Sequence, residues 1–343
     1  MKKTREGFRP LNYLILAAIT LAILLLCVCV GSVMLPLQDT VAVLWNVITG
    51  AGNQEYELAA NILLPVRLPR VLCVALVGAS LSLCGAAMQG LLKNPLADGT
   101  TLGVSSGASL GAVLAIAFGF SLPGFPLGGT MVLAICFAFL SLLLILSLAY
   151  KLDSSLSTNT IILIGVIFSM FASSISSLVI TFAGDRVKTI TFWTMGSLQG
   201  SSYENALLLL IALVLFGGIL LGHARELNAF AVGEDNARSI GVDVPRVKLT
   251  LLISISVLIG VCVSVSGTIG FVGLVTPHML RSITGPNHRR LLPAALFGGA
   301  CFLLLSDLLA RTLLSPRELP LGVITSFIGS VVFIYIFYKA RAH

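Results

Sequence analysis

Long apolar stretches separated by short polar breaks run the length of the chain. The lengths of those stretches set the expected elements. About 20 mostly apolar residues are needed for one helical crossing of a bilayer. Charges and Pro/Gly clusters divide the sequence into ten candidate spans, near 11–35, 62–92, 101–119, 127–149, 156–182, 204–222, 248–266, 270–283, 290–312 and 320–338. No charge occurs between Asp98 and Lys151, a stretch too long for one crossing, and Pro123-Gly124-Phe125-Pro126 divides it. The first stretch exceeds a signal-peptide core of about 7–15 residues, so it is expected to remain as the first helix. The seventh and eighth spans part at Ser266-Gly267-Thr268 and Gly270. The pattern predicts an all-α polytopic membrane protein with one transmembrane domain over 1–343.

Composition agrees with this. Of 343 residues, 57% are hydrophobic and 10% charged, where a soluble domain carries about 25% charged residues. Ten spans put both termini on one side. That side then holds 15 of the 21 Lys and Arg residues, among them Lys2, Lys3, Arg5, Arg9, Lys93, Lys151, Lys339 and Arg341. By the positive-inside rule it is the cytoplasmic side. The net charge of +7 then reflects an anionic lipid face and not nucleic acid.

The other six basic residues are Arg67, Arg70, Arg186, Lys188, Arg311 and Arg317. Arg67 and Arg70 flank Pro69 at the mouth of the second span. They suit either interfacial snorkelling or docking of an acidic partner. Arg311 follows Asp307 by four residues, the spacing of an intrahelical ion pair. Asp307 itself lies within a span, where a carboxylate usually has a function.

Three further segments carry information. From Lys93, a small and polar run contains Asn94, Pro95 and Asp98 and leads into Gly103, Gly107 and Gly111. That spacing suits close helix packing or a broken helix beside a pathway. The polar segment 227–242 places Phe230, Ala237 and Ile240 at helical spacing between Gly233 and Gly241, as a connector or as a short docking helix. In the segment 267–281, Pro277 frees backbone groups that the neighbouring His278 could bond.

Several chemistries have no counterpart here. The seven cysteines show no metal-ligand spacing, so no metal site is expected. Phosphate-cradling Gly-x-x-x-x-Gly-Lys-Ser/Thr, a Ser/His/Asp constellation, and a row of intramembrane acids for a proton relay are also missing. The chain is therefore not expected to be an enzyme. An ion-coupled secondary carrier or a membrane scaffold without transport stay as rival readings.

Taken together these segments resemble the FecCD-like permeases of type II ATP-binding cassette importers for iron–siderophores, haem and vitamin B12. The resemblance covers about 58–338. It rests on Arg-Leu-Pro-Arg at 67–70, Gly85 and Gln89, Asn-Pro-Leu-Ala-Asp at 94–98, and Leu-Gly-Val-Ser-Ser-Gly-Ala at 102–108. It continues through Trp193, Met195-Gly196, Gly233 with Ala237-Arg238, 270–275, Pro277-His278 and 318–323. Gly99 stands where many members have proline. The resemblance implies ten helices per subunit, a second permease subunit (homo- or heterodimer), two cytoplasmic ATPase subunits that bind ATP and Mg, and an extracytoplasmic substrate-binding protein. It implies residence in the bacterial inner membrane and a metal-chelate substrate. Arg67, Arg70 and Arg311 would dock the binding protein. Gly233, Glu234, Ala237, Arg238, Ser239 and Gly241 would couple to the ATPase. Ser157, Thr158 and Asn159 would form the cytoplasmic gate. Gln89, Asn94, Pro95, Gly103, Gly107, Pro277 and His278 would serve the pathway or helix packing.

Overall fold

The computed structural model describes residues 8, 10–31, 35–49, 56–99, 101–122, 128–153 and 157–341. The basic residues Lys2, Lys3, Arg5 and Arg9 and the break at Pro123–Pro126 lie outside them. Among the described residues the chain is helical throughout, with no strand. Seven helices are long and apolar enough to cross a membrane: α1 (Pro10–Cys29), α3 (Ala59–Leu91), α5 (Gly128–Leu152), α6 (Thr158–Phe182), α8 (Tyr203–Gly222), α11 (Val244–Ser266) and α13 (His288–Thr312). Two helices with shorter apolar stretches accompany them, α4 (Val104–Phe118) and α14 (Leu321–Arg341, apolar over Leu321–Ile336), together with α12 (Val272–Thr284). A helix therefore lies in each of the ten predicted stretches.

Among the described residues four short helices lie outside those ten. The hydropathy pattern did not anticipate α2 (Leu37–Thr49) or α7 (Val187–Thr194). Each is too short to span a bilayer, and polar residues interrupt both. The segment 227–242 forms two helices, α9 (Ala224–Val232) and α10 (Glu234–Ser239). Gly233 joins them with φ 141° and ψ 149°, a conformation open to glycine alone.

Burial ranks the helices from centre to rim. In the most apolar window of α3, 83% of residues are buried, against 11% in α1. So α3 is the central post and α1 a peripheral helix. Against α3 pack α13 and α12, while α4 packs against α5 and α6, and α11 touches both groups. Small residues set the approach. A Cβ on Gly85 would lie 1.8 Å from the Gly273 carbonyl oxygen, and one on Gly78 would lie 2.4 Å from that of Gly299. Backbones meet here at distances that no larger residue allows.

The glycine stripe of α4 is a packing device of the same kind. Gly107 lies against Ser141 and the Phe137 carbonyl, and Gly111 against the Leu133 carbonyl, all on α5. Gly103 caps α4 at φ 74°, wedged between Ile145 of α5 and Gly165 and Phe168 of α6.

Gly85→Ala forces α3 and α12 apart and is expected to lower thermal stability in detergent by about 1–3 kcal/mol. Gly218→Ala on α8 meets nothing within 4 Å and should be neutral or slightly stabilising. Equal melting temperatures for the two variants would contradict the packing role.

Candidate functional site: a hydroxyl-lined cleft between two polar ends

Helix breaks build the cleft. In α12, Pro277 has no N–H to donate to the carbonyl four residues back, Gly273. Gln89 Nε2 of α3 donates there instead, at 3.3 Å, and to Leu274 at 3.2 Å. Among the described residues His278 is not seen to bond these carbonyls. Its Nδ1 is buried with no hydrogen-bond partner among the described residues, and its ring lies 6.1 Å from that of Phe333 on α14. Its side chain faces α14, whereas the freed carbonyls face α3.

A π turn at Leu63–Arg67 bends the start of α3. Its bonds reach five residues back, as from the Leu68 amide to the Leu63 carbonyl. Pro69 cannot donate the next one, and the Tyr203 hydroxyl donates to the Leu64 carbonyl at 2.7 Å.

Thirteen residues of α12 reach about 20 Å, less than a bilayer core. Gly273 near its start meets Gly85, 15 residues after Arg70 along α3, or about 22 Å in. So α12 is a half-helix that begins deep in the bundle. The irregular backbone before it is stitched to two other loops. Ser197 N donates to the Ser266 carbonyl at 2.8 Å, Leu321 N to Gly196 at 3.0 Å and Gly322 N to Met195 at 3.1 Å. The Thr268 hydroxyl donates to the Thr194 carbonyl.

These loops and the start of α12 wall a cleft of about 700 Å³. Ser105, Ser106 and Ser109 of α4, Ser173, Ser176 and Ser177 of α6, and Ser326 of α14 line it with hydroxyls. Ile259 and Val263 of α11, with Phe271, supply the apolar wall, and Asp98 is the charged residue of the lining. Such a surface can accommodate a polar solute without holding it in a deep charge trap.

One end of the bundle carries the basic cluster. Arg67 Nη1 donates to the Val28 and Cys29 carbonyls at 3.1 and 3.0 Å, and Arg311 Nη2 to Cys27 at 3.1 Å. These are the last carbonyls of α1, which have no partner within the helix and carry the negative end of its dipole. Arg311 Nε pairs with Asp307 at 2.9 Å, Arg70 Nη2 with the same carboxylate at 2.9 Å, and Arg70 Nη1 with Glu318 at 2.8 Å. Gln199 adds a bond to Glu318 at 2.6 Å. The i,i+4 pair of Asp307 and Arg311 is thus formed, inside a wider network.

Docking of a partner expects accessible guanidinium groups at all three arginines. The structure turns them inward: Arg67 and Arg311 are 6% and 3% exposed, and the Arg70 side chain 12%. Carbonyls of α1 claim Arg67 and Arg311, and the Asp307 and Glu318 carboxylates claim Arg70, all partners remote in the chain. On the exposed surface beside them stands Arg317.

The opposite end carries α10. Lys248, 2% exposed, pairs with Glu234 at 2.8 Å, and Phe230 and Ala237 are fully buried beneath. Asp235, Arg238, Ser239, Ile240 and Gly241 face solvent. Of the predicted gate, Ser157 caps α6 by accepting from the Thr160 amide at 3.4 Å, and Asn159 is exposed. Asn94 accepts from the Leu96 amide at 2.9 Å, and Asp98 from Thr101 at 3.3 Å, folding the turn around exposed Pro95. Among the described residues no cluster of His, Cys, Asp and Glu could hold a metal.

A multi-pass helical bundle around a hydroxyl-lined cleft suits a membrane permease. The model of the FecCD transport family matches residues 19–339, and the chain belongs to that family. It is 44% identical over 307 residues to the uncharacterized ABC transporter permease protein YvrB of Bacillus subtilis, covering 88% of this chain and 86% of that one. It is 40% identical over 328 residues to the hemin transport system permease protein HmuU of Yersinia pestis, covering 94% and 95%. A solved ABC transporter of metal-chelate type, in an inward-facing conformation, superposes with a TM-score of 0.84 at 33% identity, over 96% of this chain and 100% of that one. The chain is thus a transport permease subunit of an ABC importer and not an enzyme. It works with ATPase and substrate-binding partners.

Asp307→Ala strands two buried guanidinium groups and is expected to cost about 3–5 kcal/mol. Glu318→Gln, at the wetter edge, should cost less than about 1 kcal/mol. Chemical denaturation of both variants checks the ranking, and equal losses would contradict the network's hierarchy.

Burial raises the Glu318 pKa, but hydrogen bonds from Arg70 and Gln199 and the Arg70 charge outweigh this and hold the carboxyl below its ordinary range. Its stabilisation is therefore complete above about pH 4.3, the ordinary glutamate value, and is lost as pH falls through the depressed folded value. The melting-temperature gap between wild type and Glu318→Gln should close on acidification. A gap that stays constant to low pH would show that the charge contributes nothing.

Proposed function

We propose that this permease imports a metal chelate, in first place a ferric siderophore, across the bacterial inner membrane by alternating access. The observation that carries the reading is the cleft. Its hydroxyls and the N-terminus of the half-helix α12 suit a polar or anionic chelate, while its near lack of charge argues against ion coupling and for energy from outside the chain. A second permease copy or homologue would complete the pathway. Both termini and α10 would lie in the cytoplasm, with ATP and Mg held by two ATPase subunits. The exposed rim of α10, from Asp235 to Gly241, would sit against those subunits, with Glu234, Ala237 and Gly233 fixing its pose. Ser157, Thr158 and Asn159 would form the cytoplasmic gate. At the other end the binding protein would dock over Arg317 and Glu318, with Arg67, Arg70 and Arg311 shaping the surface from beneath.

Proteoliposomes with the ATPase and binding-protein partners, offered ferric siderophores, haem and cobalamin, test the proposal. ATP-dependent uptake of a siderophore is expected, and uptake without the ATPase would overturn the mechanism. Ala237→Pro removes the bond from its amide to the Gly233 carbonyl, 2.9 Å, at about 3 kcal/mol. It should leave ATP hydrolysis running while uptake collapses. Arg317→Glu should weaken capture of the binding protein without loss of folded protein. By contrast Arg67→Glu sets a carboxylate against helix carbonyls and should lower the yield of folded protein. Unaltered capture by the Arg317 variant would remove the docking assignment.

A further inference from the structure

On the side of the bundle away from the cleft, α1, α8, α9 and α13 enclose a crevice of about 720 Å³. Its floor is apolar, made by Leu221, Leu292, Pro293, Leu296 and Phe297, with Tyr13 of α1 at the side. Its mouth carries Arg225 and Arg289, and these two also line an adjoining hollow of about 400 Å³ with Asn228 and Asn287. None of the residues that line the cleft lines either space.

The mouth is held by a hydrogen-bond lattice. Asn228 Nδ2 donates to Asn287 Oδ1 at 2.9 Å, and Asn228 Oδ1 accepts from the His288 amide at 2.8 Å. Asn287 Oδ1 also accepts from the Arg289 amide at 3.0 Å. The lattice ties α9 to the start of α13, so the elements bearing the two arginines keep a fixed relation. Arg225 is exposed and Arg289 half-buried.

We propose that this crevice is a binding site for an anionic phospholipid. The two guanidinium groups would take the phosphate, for which their planar donor fork is suited, and the apolar floor would take the start of an acyl chain. A free phosphate has no use for the floor, and a zwitterionic lipid has no use for the second arginine. Basic pockets between spanning helices are the expected home of anionic headgroups. Bound lipid would brace α1, otherwise the least embedded helix, against α8 and α13 at the end that also carries α10.

Native mass spectrometry of the full chain in detergent tests this, with phosphatidylglycerol, phosphatidylcholine and inorganic phosphate as probes. Phosphatidylglycerol adducts are expected on wild type, with phosphatidylcholine and phosphate binding far more weakly. At about fivefold for each basic contact near a lipid surface, Arg225→Gln with Arg289→Gln should lose about thirtyfold in affinity. Arg225→Gln alone, at an exposed position, should lose about fivefold and guards against misfolding of the double variant. Leu296→Trp, filling the floor, should weaken lipid while leaving phosphate binding unchanged. Equal retention of both lipids, phosphate competing as well as lipid, or an unchanged affinity in Arg225→Gln would each overturn the site.

Discussion

Every backbone group freed inside the bilayer must find a partner within the protein, because lipid offers none. The chain breaks its helices at several depths, and side chains or loops from elsewhere close breaks at Pro277, at Pro69 and at the end of α1. Gln89 serves the carbonyl released by Pro277, and Tyr203 the one released by Pro69 in the π turn. Arg67 and Arg311 serve the end of α1. The loops around Gly196, Ser266 and Leu321 serve one another. These are long-range ties between helices, so the constraint that satisfies the backbone also fixes where the cleft walls stand.

Much of this was legible in the sequence. Apolar runs are long, charges are few, and the bilayer sets a minimum length, so helix count follows from composition and spacing. The Asp307–Arg311 pair could be read from its four-residue separation. What could not be read was the destination of a polar side chain across the bundle. Arg67 and Arg70 look like surface charges because the sequence does not show the end of α1 beside the first or Asp307 and Glu318 beside the second. Gln89 looks like one polar residue in a small-residue helix, because the carbonyl it serves lies about 184 positions away. The short α2 and α7 escaped because hydropathy locates spans and not helices too short to cross. His278 misled for a related reason, since adjacency to Pro277 in sequence does not place its ring on the face where the carbonyl is freed.

Charge is partitioned along the bundle. The acids and bases that pair do so at the two ends, Asp307 and Glu318 with arginines at one and Glu234 with Lys248 at the other. Between them the cleft presents hydroxyls, and each α6 serine that lines it and reaches back, such as Ser176 to Ala172 at 2.9 Å, keeps its donor occupied within the helix. A pathway built in this way binds weakly along its length. Under the proposed role weak binding serves transport, since a strong interior site would retain its cargo.

Several parts of this arrangement are joined by α11. At one end its buried Lys248 holds Glu234 of α10. At the other its Ser266 carbonyl accepts the Ser197 amide in the loop that continues through Gln199 to Glu318 and Arg70. Between them Ile259 and Val263 form the apolar wall of the cleft, and the helix packs on both α3 and the α4–α5 pair. A displacement imposed on α10 pulls on α11 through the buried Lys248–Glu234 pair, and separating such a pair is costly. Under the proposed role the displacement would pass into α11, and from there into the wall of the cleft. Under the proposed role, then, the element that senses the ATPase and the element that shapes the pathway are joined by one rigid helix. No flexible relay through the small-residue core is required.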